Sequence, residues 1–384
     1  MLIQMHLLQN YAPANLNRDD TGSPKDALFG GVRRGRISSQ CLKRSIRRSD
    51  AFTAAFEADG LLGKRTKALP DLIEKELTAL GADPVEVQAI VARVPEIGRE
   101  STKGRADTSE GAEDGVSAAP AARELVTKQL IFLGHNELRP LAEKLLAQYR
   151  GQDAKKWAKA KIDEITKALG KSVPRSVDIA MFGRMTTSEA FENVQAAVQV
   201  AHALSTNALV QEFDYYTAVD DLSGKSSAEM IGDIEFNSST YYKYLNVHWE
   251  QLCSNLGGDV DVARRAVLAL LEAAATAQPT GKQNTFAAFS LPELVLVEVR
   301  DRNLPVSYAN AFLKPARQGA NGDPSLIDAS VIQLAGYMER ATRTYDLDSA
   351  RAYLMLDERQ MPGCERTASL RALGTWLAAH LPGA

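Results

Sequence analysis

The chain has 384 residues, 45% of them apolar, and its 45 Lys and Arg against 48 Asp and Glu give a formal charge of −3. Such a chain can bury a substantial core. Its net charge excludes a protein that coats nucleic acid through a uniformly basic surface, but it does not exclude local basic patches. Three distant cysteines exclude a disulfide framework and any CxxC-type metal site: Cys41, Cys253 and Cys364. The first residues carry no recognisable secretory signal and no apolar stretch approaches a membrane span, so we expect a cytoplasmic location and no membrane partner.

The first predicted elements are a strand, an irregular loop and a helix. Residues 2–9 are apolar enough for a buried strand, and residues 11–36 are polar and rich in turn-forming residues. A loop of that length in a compact domain is usually functional or disordered. A helix should follow, with Ser38 or Ser39 as its N-cap and Gly60 at its end.

A largely helical region is predicted from residue 60 to residue 175. Apolar residues recur there at three- and four-residue spacing, including residues 121–134. Residues 98–122 are nearly free of large apolar side chains, so we expect them to move freely. We interpret residues 60–175 as a helical insertion.

The pattern changes after this insertion. Residues 173–185 are a strand candidate that runs into a Gly–Arg turn, residues 193–206 fit either a helix or a strand, and residues 208–240 form a polar, mostly acidic excursion. With the insertions set aside, the element order favours an α+β fold of the ferredoxin-like type. The remaining predicted elements are a strand over 240–249, a helix over 261–278, a strand region over 286–301 and helices over 325–346 and 369–381.

The densest signal is a basic run between residues 33 and 48. Gln40, Lys43, Arg44 and Arg47 recur at helical spacing and should share one side of the predicted helix, whereas Leu42, Ile46 and Cys41 can anchor the opposite side. A solvated helix face is one interpretation. The other interpretation is a surface that binds a nucleic-acid backbone, because a polyanion relieves the repulsion among like charges. Contacts to phosphates do not require recognition of bases. The run holds no carboxylate and seven cations: Arg33, Arg34, Arg36, Lys43, Arg44, Arg47 and Arg48.

Two further segments are strongly charged: a basic one at the end of the helical insertion and the acidic excursion itself. Residues 144–175 hold nine cations against three acids, and Lys155, Lys156 and Lys159 share a helical face. This face is either solvated or a weak, salt-dependent contact to duplex DNA. Residues 211–236 instead hold seven acids and one lysine. Their apolar members could form a hairpin's own small core or pack against a base or a neighbouring subunit: Tyr215, Tyr216, Val219, Met230 and Ile231.

Signatures of catalysis are sparse. The five histidines are scattered, and the sequence has no HExxH motif, no phosphate-binding GxxxxGK[ST] loop and no GxGxxG motif after a strand. The pair Gly30 and Gly31 is typical of a turn. The carboxylates of Asp19, Asp20 and Asp26 could hold Mg²⁺ and promote phosphodiester cleavage, although a structural role is the favoured interpretation.

The run over residues 16–49, LNRDDTGSPKDALFGGVRRGRISSQCLKRSIRRS, resembles the amino-terminal signature of the CasC family. These proteins are the backbone subunits of Cascade, the type I-E CRISPR surveillance complex. Further matching motifs are VDIAMFGRM, VQVAHALST, DYYTAVDDL and KQNTFAAF, and the likeness spans nearly the whole chain, weakest over 60–170. The resemblance implies a right-hand shape: a modified ferredoxin-like, RNA-recognition-type palm with a helical finger insertion and a long hairpin thumb. The implied divisions are palm 1–59, fingers 60–175, palm 176–207, thumb 208–240, and palm with C-terminal helices 241–384.

The resemblance also implies a non-catalytic function without cofactor or metal. Copies stack head to tail along one CRISPR RNA beside other Cascade subunits, grip its phosphates, and present kinked segments of the guide for pairing with the target DNA strand. Each implied contact is assigned to a residue of a matching motif, except that the alignment is loose for the three lysines of the finger insertion. The implied phosphate contacts are Arg18, Lys25, Ser38, Gln40, Lys43, Arg44 and Arg47, the kink contacts are Met185, Tyr216, Thr217 and Ile231, and the duplex-DNA contacts are Lys155, Lys156 and Lys159.

Two alternatives remain open from the sequence. One is an RNA-cleaving backbone subunit that uses a loop aspartate, Asp19, Asp20 or Asp26, with Mg²⁺. The other is a stand-alone RNA-binding module that works as a monomer. For the stacked form, we expect the acidic thumb, including Asp220 and Asp221, to meet the basic palm of a neighbouring copy.

Overall fold

The computed structural model describes residues 1–97, 125–127, 129–161, 165, 175–186, 190–219 and 228–383. The chain divides into two compact units. The sheet unit comprises Met1–Ala55, Ala197–Cys253 and Asp259–Ala384, and the helical unit comprises Phe56–Ala196 and Ser254–Gly258. Helices and a large, mostly antiparallel sheet occur together, which confirms the α+β class.

The described residues form twelve strands and twelve α-helices. In chain order the strands are β1 Leu2–Ala14, β2 Asp26–Phe29, β3 Val32–Ile37, β4 Gly63–Thr66, β5 Ile131–Gly134, β6 Val198–Val200, β7 Ala203–Ser205, β8 Glu212–Val219, β9 Ala228–His248, β10 Leu294–Arg300, β11 Ala350–Met355 and β12 Glu365–Arg366. The helices are α1 Ser39–Arg47, α2 Asp50–Ala54, α3 Leu69–Ala79, α4 Pro84–Val91, α5 His135–Arg150, α6 Ala154–Lys159, α7 Val177–Phe182, α8 Trp249–Asn255, α9 Val260–Thr276, α10 Gln283–Phe286, α11 Leu326–Tyr345 and α12 Leu370–Ala379.

The central strand of the sheet unit is β1, which pairs antiparallel with β10 on one side and β9 on the other. The strand order is β12-β11-β10-β1-β9-β7-β3-β2, with β6 and β8 also paired to β9. Only the β11–β12 pair is parallel among the described strands. Side chains alternate between the two faces of a strand, so β1 and β9 contribute to two cores at once. The hairpin β2–β3 lies at one edge of this sheet.

One face of the sheet is covered by α11. Leu8 of β1 and Tyr242 of β9 pack there with Val331, Leu334 and Met338. The opposite face carries α1, which contacts β6 and α9. The sheet unit is therefore layered, with the basic helix α1 and the helix α11 on opposite faces.

A buried polar cluster surrounds Glu298 on β10. Its carboxylate accepts from the Tyr308 hydroxyl at 2.8 Å, from Gln4 Nε2 at 3.0 Å and from Arg351 Nε. The Nη2 of Arg300 lies 3.6 Å from the same carboxylate. Burial alone would raise the pKa of Glu298, but the basic groups and hydrogen bonds around it outweigh burial and lower it to about 2.

The helical unit has its own core. Helices α3, α4 and α5 pack through apolar side chains such as Ile73, Ile90 and Leu141. Arg184 and Glu137 form a fully buried ion pair with two contacts, Nη1 to Oε2 at 2.7 Å and Nη2 to Oε1 at 3.0 Å. A bidentate geometry of this kind fixes direction as well as distance.

Several sequence-based predictions of elements are confirmed. Helix α9 begins after its N-cap Asp259, helix α11 after Ser325 and helix α12 after Ser369. The undecided segment 193–206 contains two short strands, β6 and β7. None of the helices in the described part of the chain combines the length and apolar character that a bilayer crossing requires.

Other predictions of elements are wrong. The single helix expected from Ser38 to Gly60 is two helices, because Ser49 caps α2 directly after α1. The irregular loop 11–36 contains the end of β1, all of β2 and most of β3. The strand candidate 173–185 contains the helix α7, and the helical pattern over 121–134 ends in the strand β5. Residues 98–122, which we expect to move freely, all lie outside the described residues, so that expectation stays a prediction.

We predict that Glu298→Gln lowers the free energy of unfolding by about 3–5 kcal/mol, because it leaves Arg351 and Arg300 buried without their carboxylate. The ion pairing of Glu298 stabilises the fold above its ordinary pKa of 4.5, and that contribution is lost as the pH falls toward about 2. The variant should therefore lose less stability than the parent protein between these two pH values. Urea denaturation monitored by circular dichroism measures both effects.

Glu339→Gln on α11 is the matched control, because Glu339 is exposed. It should change the free energy of unfolding by no more than about 0.5 kcal/mol. Equal stability of the two variants would contradict the structural importance given to the cluster.

Candidate nucleic-acid interface

The β2–β3 hairpin carries the first cations of the basic run. Gly30 and Gly31 form its turn with φ of 60° and 76°, as the glycine pair predicts. A Cβ on Gly30 would lie 2.4 Å from the carbonyl oxygen of Leu313, so only glycine fits there. On the strands, the exposed guanidinium of Arg33 pairs with the carboxylate of Asp26. This carboxylate therefore neutralises one cation of the run.

Arg34 is fully buried. Its Nη1 donates to the carbonyl oxygens of Ser205 at 3.0 Å and Thr206 at 2.8 Å, and its Nη2 donates to that of Phe312 at 2.7 Å. The expectation of seven uncompensated cations on a free surface is thus wrong. Arg34 is held by backbone carbonyls inside the sheet unit, and Arg33 has a carboxylate partner.

Helix α1 is anchored as the sequence predicts. Ser38 is its N-cap, and the hydroxyl of Ser38 accepts from the Cys41 amide at 3.3 Å. Leu42 and Ile46 are buried. The backbone amide of Ser38 donates to Asn17 Oδ1 at 2.8 Å, which joins the start of the helix to the preceding loop. Ser38 is itself buried, so its hydroxyl already serves the helix, and a phosphate contact from it stays a prediction.

The polar side chains of α1 differ in their exposure to solvent. Gln40 and Arg44 are exposed, whereas Lys43 and Arg47 are half-buried. Burial lowers the pKa of the Lys43 amine. The two half-buried residues are therefore less solvent-facing than the helical spacing predicts, although their side chains still reach the surface.

The loop before β2 holds Arg18 and Lys25. Arg18 is exposed and Lys25 half-buried. The loop is closed by Asp19, whose Oδ1 accepts from the Thr21 amide at 2.9 Å, the Thr21 hydroxyl at 2.7 Å and the Ser23 amide at 3.0 Å. The hydroxyl of Thr21 is the largest cause of the lowered pKa of Asp19. The carboxylate of Asp19 is therefore engaged in holding the turn.

Metal ligation was the alternative use of the loop carboxylates. Asp19 closes its turn, Asp26 pairs with Arg33, and Asp20 is exposed. Within the described ranges, no group of three or more His, Cys, Asp or Glu side chains is arranged to hold a metal ion.

A buried lysine in the sheet unit was missed by the sequence interpretation. Lys243 lies on β9, donates to Gln9 and lies 3.2 Å from the hydroxyl of Tyr11. Burial lowers its pKa to about 7. It stands in an apolar, aromatic strand sequence that gives no signal of such a contact.

The acidic excursion forms the β8–β9 hairpin. Tyr216 pairs with Gly232 and Thr217 with Ile231 in its register. A Cβ on Gly232 would lie 2.5 Å from the Tyr216 ring, so the glycine leaves room for that ring. Phe213 is 65% exposed, Tyr215 is 64% exposed and Tyr216 is 41% exposed. The hairpin thus presents aromatic rings to solvent and not only to its own core; Asp220, Asp221 and the Ile231 side chain lie outside the described residues.

The remaining candidate residues belong to the helical unit. Met185 directly follows the buried Arg184 and is 95% exposed. Lys155, Lys156 and Lys159 are exposed on α6, which Trp157 anchors through a hydrogen bond from its indole to Ala89 O at 3.1 Å. Of the later cations of this basic segment, Lys161 and Arg175 are exposed, and Lys167 and Lys171 lie outside the described residues.

Comparison with known proteins identifies the family. The model of the CT1975-like protein family matches residues 3–376. A chain of a structure described as "CRISPR RNA-guided surveillance complex, pre-nicking" is similar with a TM-score of 0.77 and 29% identity, over 99% of each chain. A chain of a second, "CRISPR RNA-guided surveillance complex", has a TM-score of 0.69 and 26% identity, again over 99% of each chain. No curated protein matches significantly. The family recognised from the sequence motifs is confirmed, and the chain belongs to the CT1975-like protein family.

Proposed function

We propose that this protein is a CRISPR RNA-binding backbone subunit of a Cascade-type surveillance complex. The observation that carries the proposal is the core-anchored helix α1, whose cationic and amide side chains point away from Leu42 and Ile46. Similarity over nearly the full length to chains of CRISPR RNA-guided surveillance complexes supports it.

The chemistry of this surface fits phosphates better than bases. Arg18, Lys25, Gln40 and Arg44 offer hydrogen-bond donors at or near the protein surface, and three of these four side chains are positively charged. Contacts of this kind hold a nucleic acid along its backbone and leave its bases free to pair. A guide RNA must be held in this way if it is to select a target DNA strand.

We assign three parts of a hand to the fold. The sheet unit is the palm, a modified ferredoxin-like domain, the helical unit corresponds to the fingers, and the β8–β9 hairpin is the thumb. Apolar side chains at the thumb and at Met185 would pack against the base that is displaced from the guide at each kink. Tyr216 and Met185 support this role because both side chains are exposed and therefore accessible to a base.

The opposite charges of the thumb and the palm support head-to-tail stacking of copies. The thumb carries Asp214, Asp233 and Glu235, and the palm carries the cations around α1. A surface that complements a different surface of the next copy gives a head-to-tail array and not a two-fold dimer, and the array is an open filament where the rotation between copies does not close into a ring. Lys155, Lys156 and Lys159 on α6 would add a weak contact to duplex DNA. Other subunits of the complex would then bind at the two ends of the filament.

The subunit is proposed to be non-catalytic. Two of the three loop carboxylates already have partners, because Asp19 holds its turn and Asp26 pairs with Arg33. Asp20 alone is a poor site for Mg²⁺, which is usually held by carboxylates together with substrate phosphates.

The double variant Lys43→Ala/Arg47→Ala should bind guide RNA about 10- to 30-fold more weakly, since two phosphate contacts of about 1 kcal/mol each are lost. The slope of log affinity against log salt should also fall by about 2. Fluorescence anisotropy over a salt series measures both quantities. Circular dichroism should find the variant folded.

Arg340→Ala/Arg343→Ala is the charge-matched control, because both arginines are exposed on α11, on the opposite face of the sheet from α1. It should leave the RNA affinity within about twofold of the parent protein. An equal loss of affinity in both double variants would mean that only net charge matters, and the assignment of the interface to α1 would be wrong.

Assembly should depend on the length of the guide. On size-exclusion chromatography with light scattering, longer RNAs should give complexes whose protein mass increases in steps of one chain, because each copy covers a fixed length of backbone. A protein mass of one chain at every RNA length would instead favour the monomeric RNA-binding module.

Complementary RNA should remain intact when it is incubated with the assembled protein, guide and Mg²⁺. Denaturing gels should look the same for the parent protein and for Asp20→Ala. Cuts at regular spacing that disappear in Asp20→Ala would establish the alternative, an RNA-cleaving subunit that uses this aspartate.

A further inference from the structure

Three basic side chains of the sheet unit converge beside helix α1. The Nη1 of Arg36 lies 3.3 Å from Nδ1 of His202, which stands in the turn between β6 and β7. The backbone amide of Arg36 donates to the carbonyl oxygen of Lys25 at 2.8 Å, so the two residues lie side by side. Lys25 and Arg36 also line a cleft of about 10 Å³ that Asn17 borders. Such a volume admits one water-sized group.

The contact between Arg36 and His202 favours one protonation state of this histidine. A guanidinium can only donate, so Nδ1 of His202 must accept, and the imidazole is neutral with its proton on Nε2. The pKa of His202 is lowered by partial burial and by the positive charges of Arg36 and Lys25. On the adjacent strand β2, the carboxylate of Asp26 pairs with Arg33, and the backbone oxygen of Asp26 accepts from Arg36 Nε at 2.9 Å. His202 is exposed and so can reach a ligand.

We propose that Lys25, Arg36 and His202 form a binding site for one internucleotide phosphate of the guide RNA, at which His202 takes up a proton as the phosphate binds. This inference rests on the proposed function and adds two ligands, Arg36 and His202, to it. On binding, Nη1 of Arg36 moves from the imidazole to a phosphate oxygen. Nδ1 of His202 then takes a proton from solvent and donates it in a hydrogen bond to the same phosphate group. No covalent bond forms or breaks.

The physical reason for proton uptake is the change in local charge. Without a ligand, an imidazolium at this position would face two cations. A phosphate brings a negative charge between them, which favours the protonated form and raises the pKa of His202 above its value in the free protein. Between these two pKa values the complex holds one more proton than its separated partners, so RNA affinity must rise as the pH falls. Below the lowered pKa of the free protein the affinity should level off.

The test compares guide-RNA affinities of the full chain at constant ionic strength between about pH 8 and pH 6, a range centred near the ordinary pKa of imidazole. The parent protein should bind about three- to tenfold more tightly at the lower pH, since a shift of one pKa unit corresponds to a tenfold change. His202→Gln keeps a neutral polar side chain and should lose this gain. A variant whose pH dependence equals that of the parent protein would overturn the proposal.

His248→Gln is the matched control, because His248 is half-buried, with its side chain partly open to solvent, and lies 3.2 Å from the carboxylate of Glu250. It should retain the pH dependence of the parent protein. The buried Lys243, whose pKa of about 7 also lies near neutrality, is present in the parent protein and in both variants. A difference in the pH dependence of RNA affinity between the parent protein and His202→Gln is therefore due to His202. Absence of RNA binding by the parent protein at both pH values would refute the proposed function itself, which is a different result from a lost pH dependence.

Histidine NMR titration identifies which nucleic acid supplies the phosphate. The pKa of His202 should rise when the guide RNA is added and should not change further when complementary DNA follows. A rise that occurs only after the DNA is added, or no rise with either strand, would overturn the assignment to the guide. In Arg36→Gln without RNA, the pKa of His202 should be higher than in the parent protein, because the adjacent positive charge is gone.

Discussion

The buried guanidinium of Arg34 is the interaction on which the arrangement of the basic elements depends. It lies on β3 and binds backbone carbonyls of Ser205 and Phe312, which belong to distant parts of the chain. A guanidinium has only donors, so its burial is stable where acceptors surround it and very costly elsewhere. Because α1 begins two residues after β3 ends, fixing this strand also fixes the start of the helix. The proposed phosphate-binding surface is thus positioned by a cation that is itself fully buried.

Cations in this protein therefore have two separate uses. Arg34, Arg184 and Lys243 are buried and are held by hydrogen bonds to carbonyls, a carboxylate and side-chain oxygens. Arg18 and Arg44 are exposed and can exchange water for a phosphate with little loss. The number of positive charges in the basic run overstates the number of cations that a ligand can reach, because Arg34 is fully buried.

The sequence predicted those features that depend on neighbouring residues. The N-cap of α1 and the burial of Leu42 and Ile46 follow from spacing within ten residues. The burial of Arg34 could not be predicted, because its carbonyl partners lie 171 and 278 residues further along the chain. Helix α7 is predicted as a strand because its short apolar sequence has no helical repeat. One contact of this helix is also distant in sequence, since the Asp178 carboxylate accepts from the amide of Gly63, 115 residues away. Likewise, nothing near His202 in the sequence indicates that Arg36 and Lys25 lie beside it.

The separation of charge along the chain explains how a protein with a net charge of −3 can be expected to bind RNA. Salt screens charges beyond about 8–10 Å, so a bound phosphate responds to the cations within that distance and not to the total. The carboxylates of the β8–β9 hairpin would repel a guide that approached them. In a stack of copies the same carboxylates would attract the basic surface of the next protein. The guide and the hairpin of the neighbouring copy would then contact one set of cations. RNA binding and stacking should therefore both weaken as the salt concentration increases. A hydrophobic interface between copies would instead become stronger.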